Sequence, residues 1–366
     1  MKKIGIFTYM LNNYGAVLQA YALQRYIRNH SNHDVETIDF TTQAHEMDNK
    51  LIKIPSGNVF YRVVFLLLQL FHYPSLKRRK DRTVDFKKQY MRFSKRYGDM
   101  PELLSNPPQK DIYISGSDQV FNPNGEYALV YYLAFDKKGC KKVAYAPSFG
   151  IEQFNDTQQH FISQHIKDFD ALSCRESVGA KFLSLLVGKE VPCVVDPTLL
   201  LSKDEWHSIA IKPKYNHKYI FVYDLNGAEN LIHMANEIKK KHNLPIVCLT
   251  SKVQKFYKVD MQIYDAGPRE FIGWIENAEY VITDSFHGTI FSLIFGKEFY
   301  TYIAFEKTSS RIVNLLKESN VPERIIRKQS LCNFSDKIDL VNPIDSTYLT
   351  SQKEYSKEFI KTNILE

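Results

Sequence analysis

Two successive runs of one pattern, an apolar strand followed by a polar turn and an amphipathic helix, constrain this chain more than any other feature. The first run opens at Lys3-Ile4-Gly5-Ile6-Phe7-Thr8 and passes a turn cluster, Asn12-Asn13-Tyr14-Gly15. After it, Ala16, Ala20, Leu23 and Ile27 recur at helical spacing. Val35 to Phe40 alternates as a strand. Asp111 to Asp118, Lys142 to Ser148 and Ala171 to Glu176 each read as strand then loop, and the last leads into a helix carrying Val178, Phe182 and Leu185. Val194-Val195-Asp196-Pro197-Thr198 then marks a crossover. A second run starts at Tyr219 to Tyr223, with a helix carrying Leu231, Met234, Ala235 and Ile238. Lys239 to His242 complements that helix's dipole and Asn243 can cap it. Pro245 to Leu249 and Tyr280 to Thr283 are strands, and helices follow at Phe271 to Ala278 and at Thr289 to Phe295, the latter closed by Gly296.

Strands that alternate with helices make parallel sheets covered on both faces. The predicted fold class is therefore α/β, with two facing, doubly wound, Rossmann-like domains and a cleft between them. Their expected bounds are 1–195 and 196–335, with a basic helical insertion at about 50–105. A tail, 336–366, is expected to be helical and to pack back on the first domain. The length of 366 residues is too great for one ordinary α/β core and comfortable for two.

The net charge of +7 favours anionic partners. Part of the excess lies between Lys77-Arg78-Arg79-Lys80 and Arg96, where a solvated helical face is an equal reading. The apolar segment Val59 to Phe71, broken by Arg62 and Gln69, is too short to span a bilayer and is followed at once by that basic run. It reads either as an interfacial helix resting on an anionic membrane or as a helix buried between domains. The five cysteines, Cys140, Cys174, Cys193, Cys248 and Cys332, are scattered with no Cys-x-x-Cys pair. Neither a zinc site nor a disulfide framework is expected, and a reducing cytoplasm fits. No signal peptide is expected at the start. No phosphate-binding Gly-x-x-x-x-Gly-Lys loop, dinucleotide Gly-x-Gly-x-x-Gly or His-Glu-x-x-His motif occurs, so nucleotide hydrolysis, dinucleotide redox and zincin chemistry are unsupported.

Ligands of doubly wound sheets sit outside the carboxyl ends of the strands, which selects the strand-to-helix turns. Thr283-Asp284-Ser285-Phe286-His287-Gly288 lies at such a turn. Asp284 or Ser285 can cap the helix, and His287 then falls in its first turn beside free N–H groups that attract anions. The dipole there favours a neutral imidazole able to act as a general base, or as an acid once an anion holds it protonated. The alternative is a His packed at an interface. Arg175, at another strand's end in the first domain, can grip carboxylate or phosphate, or can pair with Glu176. Arg311, near the start of a helix over Ser309 to Leu316, is a cation where the dipole disfavours one, so a bound anion, with Lys307 assisting, or a salt bridge would compensate. Asp118 is a candidate base for a sugar hydroxyl or a turn residue. Asn13, Tyr14 and Gly15 either line the opposite side or form an ordinary turn.

At these residues the chain resembles the polysaccharide pyruvyl transferase family. The ordered pieces are Asn12 to Gln19, Gly116-Ser117-Asp118-Gln119-Val120-Phe121-Asn122-Pro123, Ser173 to Glu176, Asp196-Pro197-Thr198, Asp284 to Gly288 and Ser310-Arg311. The resemblance implies a GT-B-like fold with the first domain on the acceptor side and the second on the donor side. It implies a transferase that moves the pyruvyl group of phosphoenolpyruvate onto two hydroxyls of a sugar in a cell-surface polysaccharide or its lipid-linked precursor, as a ketal. The resemblance places His287 and Arg175 at the donor, with Arg311, Lys307, Ser285, Phe286 and Gly288 around it; Asp118, chosen by its place at a strand's end and not by the resemblance, is the expected acceptor base, with Asn13, Tyr14 and Gly15 nearby. No metal or cofactor is called for, and no nucleic-acid partner is expected. The setting would be cytoplasmic, peripheral at the inner membrane face. Two alternatives remain at this level: a GT-B glycosyltransferase using a nucleotide sugar, and a non-catalytic saccharide-binding protein.

Overall fold

The strands of the first half pair side by side, all parallel. In the computed structural model they are β1 (Lys3–Phe7), β2 (Asp34–Phe40), β3 (Phe93–Tyr97), β4 (Ile112–Ser115), β5 (Lys141–Ala144) and β6 (Ala171–Leu172). The structure describes residues 1–10, 13–48, 50–227, 229–304, 310–340, 344 and 346–366. The order across this sheet is β3-β2-β1-β4-β5-β6. Parallel strands buried on both faces must be apolar throughout. Accordingly Ile4, Ile6, Ile112 and Ile114 are buried, as are Phe7, Tyr113 and Leu172 in the core with Phe121, Tyr132, Phe149 and Leu183. The helix Tyr14–Asn29 is buried over most of its length. Its two buried glutamines are therefore bonded: Gln24 donates to Thr37 and to the Arg92 carbonyl, and Gln19 donates to Thr8.

The second run repeats the plan with β7 (Ile220–Asp224), β8 (Ile246–Thr250), β9 (Met261–Ile263), β10 (Tyr280–Thr283), β11 (Glu298–Tyr302) and β12 (Ile325–Ile326). The order is β12-β11-β10-β7-β8-β9, again all parallel. Ile220, Val222, Ile246, Cys248 and Ile282 meet Leu231, Met234 and Ile238 from helix Glu229–His242. Asn243 ends that helix with φ 53°, the left-handed stop its position suggested. Both sheets thus have one Rossmann order. Each reverses direction once, between β1 and β4 in the first and between β7 and β10 in the second, and there the following turns diverge to opposite faces and leave a crevice.

Residues 1–49, 87–201 and 347–366 form one unit, and 50–86 with 202–346 form the other. The division falls at Leu201/Ser202 rather than at 195/196. Asp196-Pro197-Thr198 belongs to the first unit because it packs on helix Tyr14–Asn29 and bonds Ser117 and Arg175. The C-terminal helix Ser346–Ile360 lies in the first unit from residue 347 on, where Ser356 accepts from the Val195 N–H.

The stretch 50–105 is not one helical insertion. It holds the helix Val59–Tyr90, then edge strand β3, then the short helix Met100–Ser105 capped by Asp99. Charged Lys95 and Arg96 disguise β3, and such residues are what an exposed sheet edge tolerates. Val59–Tyr90 is long and apolar enough, by length and composition, to cross a membrane, unlike the shorter segment read from the sequence. It is not a buried helix either: Phe60, Leu67 and Phe71 are mostly exposed.

Candidate functional site

Polar side chains collect where each sheet reverses. In the first unit, the turns after β1 and β4 face each other across the reversal. Gly116 permits the close approach, since a Cβ there would lie 3.0 Å from the Thr8 Cβ. Thr8 donates to the Ser117 carbonyl, and Gln19 donates to Thr8 and to the Tyr9 carbonyl. Asp118 follows with φ 74° and ψ −172°, a region that is nearly glycine's alone. Its carbonyl is held by the N–H groups of Val120 and Ser148, and its carboxylate accepts from the Gln119 N–H. A second non-glycine residue of positive φ, Ala146, sits in the turn after β5. Strain of this kind persists only where the surrounding structure over-determines the backbone.

Arg175 is buried in this cluster, in the first unit. Its Nη1 donates to Asp196 Oδ2 at 2.7 Å and to Ser117 Oγ, with Glu176 Oε1 3.8 Å from Nε and Asp118 Oδ1 3.9 Å from Nη2. Burial opposes its charge, but Asp196, then Glu176 and Asp118, outweigh burial and push its pKa upward. Asp196 is fully engaged as well, accepting from the Thr198 N–H and hydroxyl. Glu176 accepts from Ser148. Tyr9 lies near Asp118 with its ring tilted against Tyr131 at 4.5 Å between centroids; burial first and the Asp118 charge second push its phenol up to about 12.

In the second unit the turns after β7 and β10 are tied across the reversal by Asp284. Its two carboxylate oxygens accept from the N–H groups of Leu225 and Asn226. Burial pushes its pKa upward against those donors, and neighbouring Asp224 adds to the rise. Asp224 accepts from the Gly227 N–H, Thr250 and the Tyr257 hydroxyl. Ser285 is the N-cap of helix Phe286–Ile294, accepting from the Gly288 N–H. Thr283 buttresses the turn by donating to the Tyr223 carbonyl and accepting from the Ser285 N–H. His287 is buried in the first helical turn with its ring edge-on to Phe286 at 5.3 Å. The Arg311 guanidinium, on helix Ser310–Glu318, lies 5.6 Å from the Phe286 ring centroid.

The structure thus brings Ser285, Phe286, His287, Gly288 and Arg311 together. Lys307 and Asn12 lie outside the described residues. Arg175, expected to serve the donor with His287, lies in the first unit, where the carboxylates of Asp196 and Glu176 engage its guanidinium and Asp118 lies near it. Asn13, expected to meet substrate, spends its side chain capping helix Tyr14–Asn29 through the Gly15 N–H, and Tyr14 and Gly15 are buried. Sequence reasoning missed Asp224, although it ends a strand as Asp118 follows one, and missed the role of Asp196. It also missed Lys87, which donates to the Met10 carbonyl with its pKa lowered by burial. Nothing local separates Lys87 from the surrounding basic run. Among the described residues, no three His, Cys, Asp or Glu side chains are placed to hold a metal ion.

A family model described as polysaccharide pyruvyl transferase matches residues 13–304. No curated protein matches the chain in sequence. Solved structures of similar fold include a UDP-N-acetylglucosamine 2-epimerase (TM-score 0.54, 10% identity, 99% of this chain and 95% of that one). The Neisseria meningitidis UDP-GlcNAc 2-epimerase bound to UDP-GlcNAc has TM-score 0.52 at 10% identity over 99% and 100% of the two chains. The S. aureus MnaA-UDP co-structure has TM-score 0.52 at 12% identity over 100% and 98%. At such identities the likeness establishes the fold, which is of the GT-B kind.

Proposed function

The chain belongs to the polysaccharide pyruvyl transferase family, and from that premise we propose that it moves the pyruvyl group of phosphoenolpyruvate onto two hydroxyls of a saccharide, forming a pyruvate ketal. The observation that carries this reading is the Ser285–Gly288 turn. It places a buried His in the first turn of a helix whose N-terminus attracts anions, with Arg311 beside Phe286 as a nearby cation.

Phosphoenolpyruvate carries about three negative charges at neutral pH, so its pocket needs cations and N–H donors together. Arg311 and the helix start supply these. His287 delivers a proton to the methylene carbon, which becomes the methyl group. The adjacent carbon turns oxocarbenium-like and is attacked by one sugar hydroxyl. Phosphate then leaves by C–O cleavage, and the second hydroxyl adds to close the ketal. Of the two hydroxyl protons, one balances the proton given to carbon and the other leaves on phosphate. Asp118, with Arg175 holding the charge of its cluster, is the base for a hydroxyl.

The test is phosphate release from phosphoenolpyruvate across a panel of saccharide acceptors. Release that requires the acceptor, and falls by about 10²–10⁴-fold in His287→Ala, supports the reading. Stabilisation by nucleotide sugars and not by phosphoenolpyruvate would replace it with a glycosyltransferase. Unchanged turnover in a folded His287→Ala protein would remove His287 from the chemistry.

A further inference from the structure

The apolar half of helix Val59–Tyr90 presents one stripe to solvent. Phe60, Val63, Val64, Leu67, Leu70 and Phe71 recur at helical spacing and are 38–80% exposed. The opposite side is packed on its own unit. Gln69 is buried and exchanges two hydrogen bonds with the Lys53 backbone, and His72 packs on the Tyr264 ring at 4.2 Å. Further along, Arg78 and Arg82 are bound to Asp265, and Arg82 also to Glu270. A contiguous apolar stripe of this size is normally covered in a soluble protein.

Charge identifies the cover. Residues 49–80 hold seven cations, Lys50, Lys53, Arg62 and the run Lys77 to Lys80, and no Asp or Glu. The whole chain has 48 Lys and Arg against 41 Asp and Glu, so its remainder carries 41 of each. The entire formal excess therefore sits in the segment that exposes the apolar stripe. We propose that this segment is a docking surface for a bilayer rich in anionic lipid, with the stripe lying in the headgroup–acyl boundary and those of its cations that Asp81 and Asp265 do not hold meeting the headgroups.

The helix lies along the bilayer and does not cross it, because Gln69 and His72 fix the side away from the stripe to protein and, further along, Arg78 and Arg82 tie the helix to Asp265. A second copy fits less well. The stripe covers under two heptads where a coiled coil needs about three or four, and two such segments would bring their positive charges together. This inference does not rest on the pyruvyl transfer reading, and its test does not involve phosphoenolpyruvate.

The test is co-sedimentation of the full chain with vesicles of phosphatidylcholine alone and of equal parts phosphatidylcholine and phosphatidylglycerol. Binding to the anionic vesicles should be stronger by on the order of a hundredfold and should weaken in high salt. The triple variant Phe60→Ser, Leu67→Ser, Phe71→Ser should reduce it by about tenfold or more, with an unchanged thermal melt, since it alters exposed side chains only. Absent binding to anionic vesicles, or equal binding by wild type and variant, overturns the proposal. Absent vesicle binding together with a dimer that the variant disperses assigns the stripe to a second copy.

Discussion

Asp118 adopts φ 74° and ψ −172°, a backbone conformation that costs a non-glycine residue of order 1–3 kcal/mol. Replacing it by glycine removes the strain together with the carboxylate. Asp118→Gly should therefore raise unfolding free energy by about 1 kcal/mol in urea titration while lowering turnover, and Asp118→Asn should keep the strain. A rise in both stability and activity would take Asp118 out of the reaction. Asp196→Ala acts in the opposite sense. It strips the closest carboxylate from the buried Arg175, and a cost of about 3 kcal/mol is expected, tempered by Glu176 and Asp118. At Asp284 the sign follows from burial. Its folded-state pKa is raised, so its contribution to stability is complete below the ordinary carboxylate value and is lost as pH rises through the folded value. Asp284→Asn should flatten the decline in stability above about pH 4. An unchanged pH profile by chemical denaturation would show that this carboxyl is not shifted.

At the scale of elements, the helix Phe286–Ile294 is set on its strand by one glycine. A Cβ at Gly288 would lie 2.6 Å from Thr283 Oγ1 and 3.0 Å from Thr283 Cγ2. Gly288→Ala should cost about 1–3 kcal/mol and displace His287, with loss of activity. In a Thr283→Ala background the added cost should be smaller, because the two nearest atoms are gone. A double-mutant cycle measures that coupling, and strict additivity would show that the contact does not set the turn. The elements with long apolar periodicity, such as Glu229–His242 and the strands Ile220–Asp224 and Tyr280–Thr283, were legible from residue spacing. Several of those missed were short or charged. β12 has two residues and β3 hides its alternation among Lys95 and Arg96. Such strands are held by pairing with a neighbour, which no local window contains.

At the scale of the molecule, the two units have separate sheets and cores, so unfolding should not be two-state, and calorimetric enthalpy should exceed the van't Hoff value. Both tryptophans, Trp206 and Trp274, lie in the unit of residues 202–346. Their emission reports that unit alone. Phosphoenolpyruvate at about a hundred times its dissociation constant should stabilise the fluorescence-detected transition by about 2.7 kcal/mol. A shift confined to the other transition would move the donor away from the His287 turn.

The alternation of apolar strands with amphipathic helices determined the α/β class and two doubly wound sheets, because the 2.0 and 3.6 residue periods are local properties of the chain. The same rule drew attention to the His287 turn, since strand ends are visible in sequence. Tertiary structure alone decided which turns face each other. Strand order places the turn after β10 beside the turn after β7, and only then does Asp284 meet Leu225 and Asn226. It also decided that Arg175 belongs with Asp196, 21 residues later, and that the stripe from Phe60 to Phe71 is left in solvent. Spacing along the chain records which face a side chain takes. What that face meets depends on segments brought together by packing.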